Sequence, residues 1–462
     1  MNGFVKGGLV LGGLVLGLGA LRRALNPTPR YAPWEKPPYG EFEKKVLILG
    51  GGFGGYTAAT DVCRLTRSRD DVGVLVIARD NFFTFWPMVP GIVSSDIDAR
   101  NVAQPLRRAL ILAGASFRRA TVNGIDPERK VVQADGGLEF PYDQLIISLG
   151  GQPNFFGIPG VEDHSLTMRG VEDAERVRNR VIERFEEVSL IRDEVPESKL
   201  TFVVIGGGAT GVEVASEIHS LVHENLAPDY PNIDPYRVRI YLIEALPNIL
   251  PELDPALRRA ARTRLLNERI EVLTGAMAEE ITGDSVKLKG GKQIDTENVI
   301  WTAGNRPNQA VQDLGLPHDV RTGIKVDLSL RVEGHRDVWA VGDCAAVQDV
   351  HQDGAIVPPT AQAAIQQGHL VARNVLKTID GEGDLGEFEY KPLGQLVELG
   401  SDFAVNEVMG VRFTGMIAAV FWRMAYLVRL NSPQSRVRIA ADWIFGLFLR
   451  PAVTQIRGTS EE

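Results

Sequence analysis

The chain has 462 residues, too many for one hydrophobic core, so two or three domains are expected. Its net charge of −9 argues against nucleic acid as a partner, and 44% hydrophobic with 24% charged residues is an ordinary globular balance. Two cysteines, Cys63 and Cys344, exclude a disulfide framework and a four-ligand zinc site; the seven histidines are read as lying outside any metal-type spacing, so no metal is expected.

Residues 3–21 are apolar apart from Lys6 and are followed by Arg22-Arg23. As a helix they would span roughly 28 Å at about 1.5 Å per residue, close to one hydrocarbon core. A retained anchor over residues 1–25 is expected ahead of a secretory signal, because no small-x-small cleavage site precedes the Pro-rich linker at 26–44.

Two glycine fingerprints follow. Gly50-Gly51-Gly52-Phe53-Gly54-Gly55 comes directly after the apolar run Val46–Leu49, and Gly206-Gly207-Gly208-Ala209-Thr210-Gly211 comes directly after Phe202–Ile205. Each follows a buried strand and opens into a helical pattern, over 56–65 and 212–221. In that context the first glycine makes a tight turn, the second lets backbone approach a pyrophosphate, and the third lets helix pack on strand. Two copies in matching contexts point to two dinucleotides, one as cofactor and one as substrate.

Val122-x-x-Ile125 and Lys130–Val132 read as a hairpin, and Leu145–Leu149 as a buried strand ending at Gly150. After the second fingerprint the plan repeats: strand 238–243, a hairpin, then Val299–Trp301 ending at Gly304. The chain returns to the first domain through Val338–Asp343. This gives a first dinucleotide domain over 45–160 and 305–385, and a second over 161–304. The fold class is α/β: two Rossmann-like domains followed by a C-terminal amphipathic helical region over 386–462.

In that last region Phe413, Met416, Ile417, Val420, Phe421, Met424 and Leu427 stand at helical spacing, and a second apolar stretch covers 437–449. Between Ala404 and Gly458 there are seven Arg, no Lys and two acids, a local charge of +5 in a chain of −9. A packed helical cap or homodimer surface is one reading. A platform on an anionic membrane is the other, and the N-terminal apolar run favours it.

In the second domain Glu244 ends the strand where an acid takes the adenosine ribose hydroxyls, and a carboxylate there repels a 2′-phosphate. NADH is therefore expected over NADPH. In the first domain the equivalent position is Ala78, followed by Arg79 and Asp80, so the ribose acid is missing there.

With these residues in place, the chain resembles the type II NADH dehydrogenases, single-subunit and non-proton-pumping NADH:quinone oxidoreductases among the two-dinucleotide flavoproteins. The resemblance covers about residues 45–450. It rests on Phe82–Pro87, Gly207–Glu213, Leu242–Ala245, Ala340–Asp343 and, most specifically, Ala361-Gln362-Ala363-Ala364-Ile365-Gln366; many relatives have His where this chain has Ile365. The resemblance implies FAD as cofactor, NADH as hydride donor and a membrane quinone as acceptor. Contacts to the dinucleotides are expected from Gly50, Gly52, Phe53, Gly54, Gly55, Arg79, Val122, Gly150, Gly206, Gly208, Thr210, Gly211, Glu244, Gly304, Gly342, Asp343 and Ala361. Glu213 is expected near the nicotinamide, and Gln362 and Gln366, one helical turn apart, along the quinone path. Association with the cytoplasmic face of a cell inner membrane is expected. Two alternatives stay open: a flavin-dependent NAD(P)H reductase of another acceptor, and a sulfide:quinone-type enzyme. A thiol-disulfide reductase is disfavoured, because Cys63 and Cys344 form no redox motif.

Overall fold

The computed structural model describes residues 37–191 and 194–455. The expected N-terminal anchor and most of the Pro-rich linker lie outside the described residues. Among the described residues no helix is long and apolar enough to cross a membrane.

The apolar run before the first fingerprint forms β1 (Lys44–Leu49), and the fingerprint turns into α1 (Phe53–Leu65). Next come β2 (Val72–Ala78), β3 (Ser116–Arg119) and β4 (Gln144–Ile147). β1 pairs in parallel with β2 on one side and β4 on the other, with Leu47 opposite both Leu75 and Leu145. β3 extends the sheet beyond β2. The four inner residues of β1 and all of β4 are buried, as expected for a parallel sheet covered on both faces. The 122–132 segment does form a hairpin, with Ile125 opposite Val132.

The second unit repeats this order. β5 (Ser165–Thr167) leads through the long helix α2 (Val171–Leu190) to β6 (Thr201–Ile205), which opens into α3 (Ala209–Ser220). β7 (Arg239–Glu244), β8 (Ile270–Thr274) and β9 (Asn298–Trp301) complete a parallel sheet in the order β5-β9-β6-β7-β8. The chain then returns to the first sheet, where β10 (Val338–Ala340) pairs with β4. The first sheet thus runs β10-β4-β1-β2-β3; its strands β4-β1-β2-β3 match β9-β6-β7-β8 of the second, while the edge strand is the last of the first sheet and the first of the second. In each, the fingerprint strand sits where the winding reverses, and ligands of such sheets bind at that crevice.

Helix α4 (Ala361–Ile379) follows, capped by the Thr360 hydroxyl, which accepts from the Ala363 amide at 3.2 Å. It packs closely on α1: a Cβ at Gly368 would come within 2.8 Å of the Gly54 carbonyl oxygen.

The C-terminal region differs from the sequence expectation. It begins as a three-stranded antiparallel sheet, β11 (Gly394–Glu398), β12 (Ala404–Val408) and β13 (Val411–Gly415), before α5 (Met416–Arg429) and α6 (Pro433–Gly446). Phe413 therefore lies on a strand, opposite Asn406, and does not share the helix of Met416 to Leu427. The apolar content of this stretch fitted a 3.6-residue period by coincidence at that one position. α5 is two-sided. Ala418, Ala419 and Trp422 are buried, while Met416, Ile417, Val420, Phe421, Met424 and Val428 are exposed.

Candidate active site

A cleft of about 780 Å³ runs between the two dinucleotide-type units. Gly50, Gly52, Phe53, Gly54, Arg79, Val122, Gly150, Thr210, Gly304, Gly342, Asp343 and Ala361 all line it. The glycine geometry explains the residue choice. Gly50 has φ +100°, and a Cβ there would collide with the Ser148 carbonyl. At Gly52 a Cβ would meet no protein atom at all, and the same holds for Gly208 in the second loop. Protein packing therefore does not demand glycine at 52 or 208, and the space over both is open to a ligand lying against the backbone. The α1 amides beyond Gly52 open the helix without a side-chain cap, which leaves them free for phosphate oxygens. These features fit a bound FAD. Ala78 and Asp80 both line the adenosine end, but no side chain there repeats the ribose acid of the second unit.

The remaining predicted residues sit behind or beside the cleft. Gly55 and Gly211 lie beneath Gly50 and Gly206, where a Cβ would strike those carbonyls. Glu244 ends β7 beside the second loop. Its carboxylate accepts from the Gly207 amide at 2.6 Å and from the Leu246 amide at 2.7 Å. It is thus fixed in orientation next to the second glycine loop.

Glu213 does not line the cleft. It is buried on α3, one turn beyond Thr210, and its Oε1 accepts from the Glu398 amide of β11 at 3.3 Å. Burial pushes its carboxyl well above the usual carboxylate range. Gln362 and Gln366 do share a face of α4, and both are occupied. The Gln362 amide donates to Gly394 O at 2.6 Å and accepts from Leu393 N at 3.0 Å. Gln366 brackets Lys391 in the same way, at 2.8 and 3.1 Å. The pair straps the chain entering β11 onto α4.

Several cleft residues carry no motif. Arg169, on the loop after β5, donates to Asn305 Oδ1 at 2.5 Å, and Asn305 donates to Asp343 Oδ2 at 2.7 Å. Burial raises the Asp343 carboxyl, while Asn305 and the Arg169 charge oppose the rise. Gln367 accepts from the Gly342 amide at 2.6 Å and so holds the turn that carries Asp343. Phe53, Phe83 and Phe85 form an edge-to-face cluster, with Phe53 and Phe83 centroids 4.8 Å apart. Phe85 meets Tyr426 of α5 edge-on at 6.0 Å.

The histidine reading needs correction. His219, in the last turn of α3, and His223, just beyond it, stand four residues apart, with their tilted rings 4.4 Å apart. Arg264 and Arg269 bear on them, and burial and these charges lower both, His219 to about 4. Among the described residues no group of three His, Cys, Asp or Glu side chains is arranged to hold a metal. The two cysteines are not bonded to each other, and burial pushes the Cys344 thiol up to about 11, so it is not a thiolate nucleophile.

Two fingerprint loops at the switch points of two parallel sheets, the first lining the cleft and the second reaching it at Thr210, are the arrangement of an oxidoreductase that works between two dinucleotides. Residues 44–368 match the pyridine nucleotide-disulphide oxidoreductase family. A probable NADH dehydrogenase of Dictyostelium discoideum is 31% identical over 411 residues, covering 87% of this chain and 89% of that protein. The demethylphylloquinone reductase NdbB of Synechocystis is 30% identical and covers 87% of this chain and 95% of its own length. In fold, NDH2 of Plasmodium falciparum, solved with NADH, superposes with a TM-score of 0.80 at 21% identity, over 89% of this chain and all of that one. The chain belongs to the pyridine nucleotide-disulphide oxidoreductases, and within them to the type II NADH dehydrogenases, which carry FAD.

Two outcomes test the site. Gly52→Val points its side chain into open cleft, so the protein should fold with unchanged circular dichroism yet purify colourless; retention of full flavin absorbance would remove Gly52 from the pyrophosphate site. Glu244→Gln should lower the ratio of kcat/KM for NADH over NADPH by about tenfold, the equivalent of one charge-assisted hydrogen bond. An unchanged ratio would reduce Glu244 to a strap between β7 and the glycine loop.

Proposed function

We propose that the chain is an FAD-dependent NADH:quinone oxidoreductase that works against a membrane surface. Bound FAD supplies a ring that takes a hydride from NADH and returns two electrons to the quinone. The chain's own residues orient and exclude. The glycine loops would set both dinucleotides against backbone, Glu244 would select the unphosphorylated ribose, and Asp343, held by Asn305 and by the Gln367-bound turn, would accept from the ribityl hydroxyls. The N-terminal amides of α4 face the cleft at Ala361, where they would favour negative charge on a bound flavin.

One observation carries the choice of a lipid-soluble acceptor. Tyr426 of helix α5 meets Phe85, which packs against Phe53 and Phe83 of the cleft lining, while the opposite face of α5 leaves six large apolar side chains in solvent. One aromatic cluster thus joins the cleft lining to the helix that bears this apolar face. Ile444, Phe445, Leu447, Phe448 and Leu449 extend the exposed apolar surface from α6. Arginines accompany these side chains, as on surfaces that lie in an anionic headgroup layer. A quinone headgroup entering from that side would pass between β11 and α4, where Gln362 and Gln366 hold the wall.

Stopped-flow absorbance separates the half-reactions. Gln366→Trp should release the Lys391 strap, fill the passage and block reoxidation by quinone, while flavin reduction by NADH keeps its rate. Equal slowing of both steps would sink the quinone-path assignment. Removing the chain after Asp402 would also remove β12 and β13, so the membrane contact is better tested by substitution. With residues 1–36 deleted, Ile417→Glu with Phe448→Glu should abolish co-sedimentation with anionic liposomes at normal flavin content. Unchanged sedimentation would overturn the platform, and conversion from dimer to monomer with no change in liposome binding would assign the face to a second copy.

A further inference from the structure

A second cavity, of about 190 Å³, shares a wall with the cofactor cleft. Gly342, Asp343 and Thr360 line both spaces, and Arg306, Arg321 and Thr322 line the smaller one. Arg306 lies on Asn305–Pro307, which pairs with Gly151–Pro153 as a short antiparallel ribbon. One strand of this ribbon leads from the first dinucleotide unit to the second, and the other leads back. The cavity therefore stands at the double crossing between the units.

Its charges do not balance. Arg306 Nε is buried with no hydrogen-bond partner. Among the described residues no carboxylate lies within salt-bridge distance of Arg306 or Arg321. The two acids nearby are already occupied. Asp319 accepts from the Arg321 amide at 2.8 Å, the Thr322 amide at 3.0 Å and the Thr322 hydroxyl at 3.2 Å. Asp343 accepts from Asn305 and faces the charge of Arg169. Helix α4 begins in the same wall at its cap Thr360, so the positive end of its dipole adds to the two guanidiniums.

An unpaired cation in a water-poor wall costs free energy that a bound anion offsets. Guanidinium groups match carboxylate and phosphate oxygens with paired N–H donors. A cavity of about 150 Å³ holds benzene, so this one holds a molecule of about six to ten heavy atoms.

We propose that this cavity binds a small dianion, a phosphate monoester or a short dicarboxylate, held by Arg306 and Arg321 beside the turn that carries Asp343. The identity of the electron acceptor does not enter. Without the anion, the two guanidiniums favour the negative charge that a flavin in the adjoining cleft takes on reduction. A bound dianion cancels that field. It therefore lowers the reduction potential of the flavin, and by linkage reduction weakens anion binding by the same factor.

Calorimetric titration of the oxidised holoenzyme tests the site, with sodium phosphate and sodium malonate each compared with sodium chloride at matched ionic strength. Saturable binding of one anion per chain is expected. Binding of phosphate alone would assign the site to phosphate monoesters, and of malonate alone to dicarboxylates. Arg306→Gln and Arg321→Gln should each weaken binding at least about tenfold, the size of one lost charge-assisted hydrogen bond, at unchanged flavin content and circular dichroism. Arg321 is exposed on a turn, so its variant decides the matter if Arg306→Gln fails to fold. The midpoint potential of the wild-type flavin should fall in the binding anion and stay fixed in Arg321→Gln. No binding beyond that of chloride with either probe would overturn the site. Unchanged affinity in both variants would place the anion elsewhere and overturn it too, as would displacement of the anion by NAD⁺. Loss of FAD from both variants would make the arginines part of the cofactor cleft and overturn a separate site. Anion binding with no change in midpoint potential would overturn the coupling to the flavin.

Discussion

The geometry of the whole protein depends on how closely the turn after each central strand approaches its neighbour. Gly50 and Gly206 have φ of +100° and +116°, and each is pressed against the end of the adjacent strand's connection, at Ser148 and at Thr302–Ala303. That approach turns the chain sharply, so the following helix begins with its amides aimed outward over the strand ends. Because the four strands around each fingerprint strand have the same order in both sheets, both helices present those amides at a switch point. The cleft is what remains between two such ends. Arg169, Asn305 and Asp343 span it as a hydrogen-bonded chain from one unit to the other.

Much of this was legible before any coordinates. Local signals identify the strand-turn-helix units, because a buried apolar run, a glycine triplet and a small-residue helix are contiguous. Glu244 was legible for the same reason, being the last residue of a strand. What could not be read were groups that converge from distant segments. Arg169 and Asn305 are 136 residues apart and carry no motif. Arg306, Arg321 and the start of α4 come from three segments, and the two arginines look individually like solvated charges. Gln362 and Gln366 were legible as a shared helix face, but the 391–394 segment they bracket was not. His219 and His223 are different: their spacing was in plain view, and only the arginines around them, known from the fold, argue against a cation there.

The C-terminal stretch shows how periodicity misleads at an element boundary. Phe413 fits the helical pattern of α5, yet Gly415, with φ +85°, ends a strand between them. The strand matters for function because β11, β12 and β13 give α5 a rigid bed. Asn406 of β12 donates to the Ala418 carbonyl at 2.7 Å, fixing the rotation of the helix. Rotation decides which side chains face inward, and with it the separation of Trp422 and Tyr426 from the exposed apolar row.

Electrostatics then link that bed to the rest. A buried ion pair alone adds little stability, since desolvation offsets its attraction. The Arg423–Glu398 pair is better understood by what it joins. It fastens α5 to β11, β11 is strapped by Gln362 to α4, and α4 packs on the α1 helix of the first fingerprint. A displacement of the exposed helix is therefore carried by polar contacts to the wall of the cofactor cleft. On the proposed reading, in which the acceptor arrives from a lipid surface, this coupling keeps the entry side and the dinucleotide side in register while each binds a different partner.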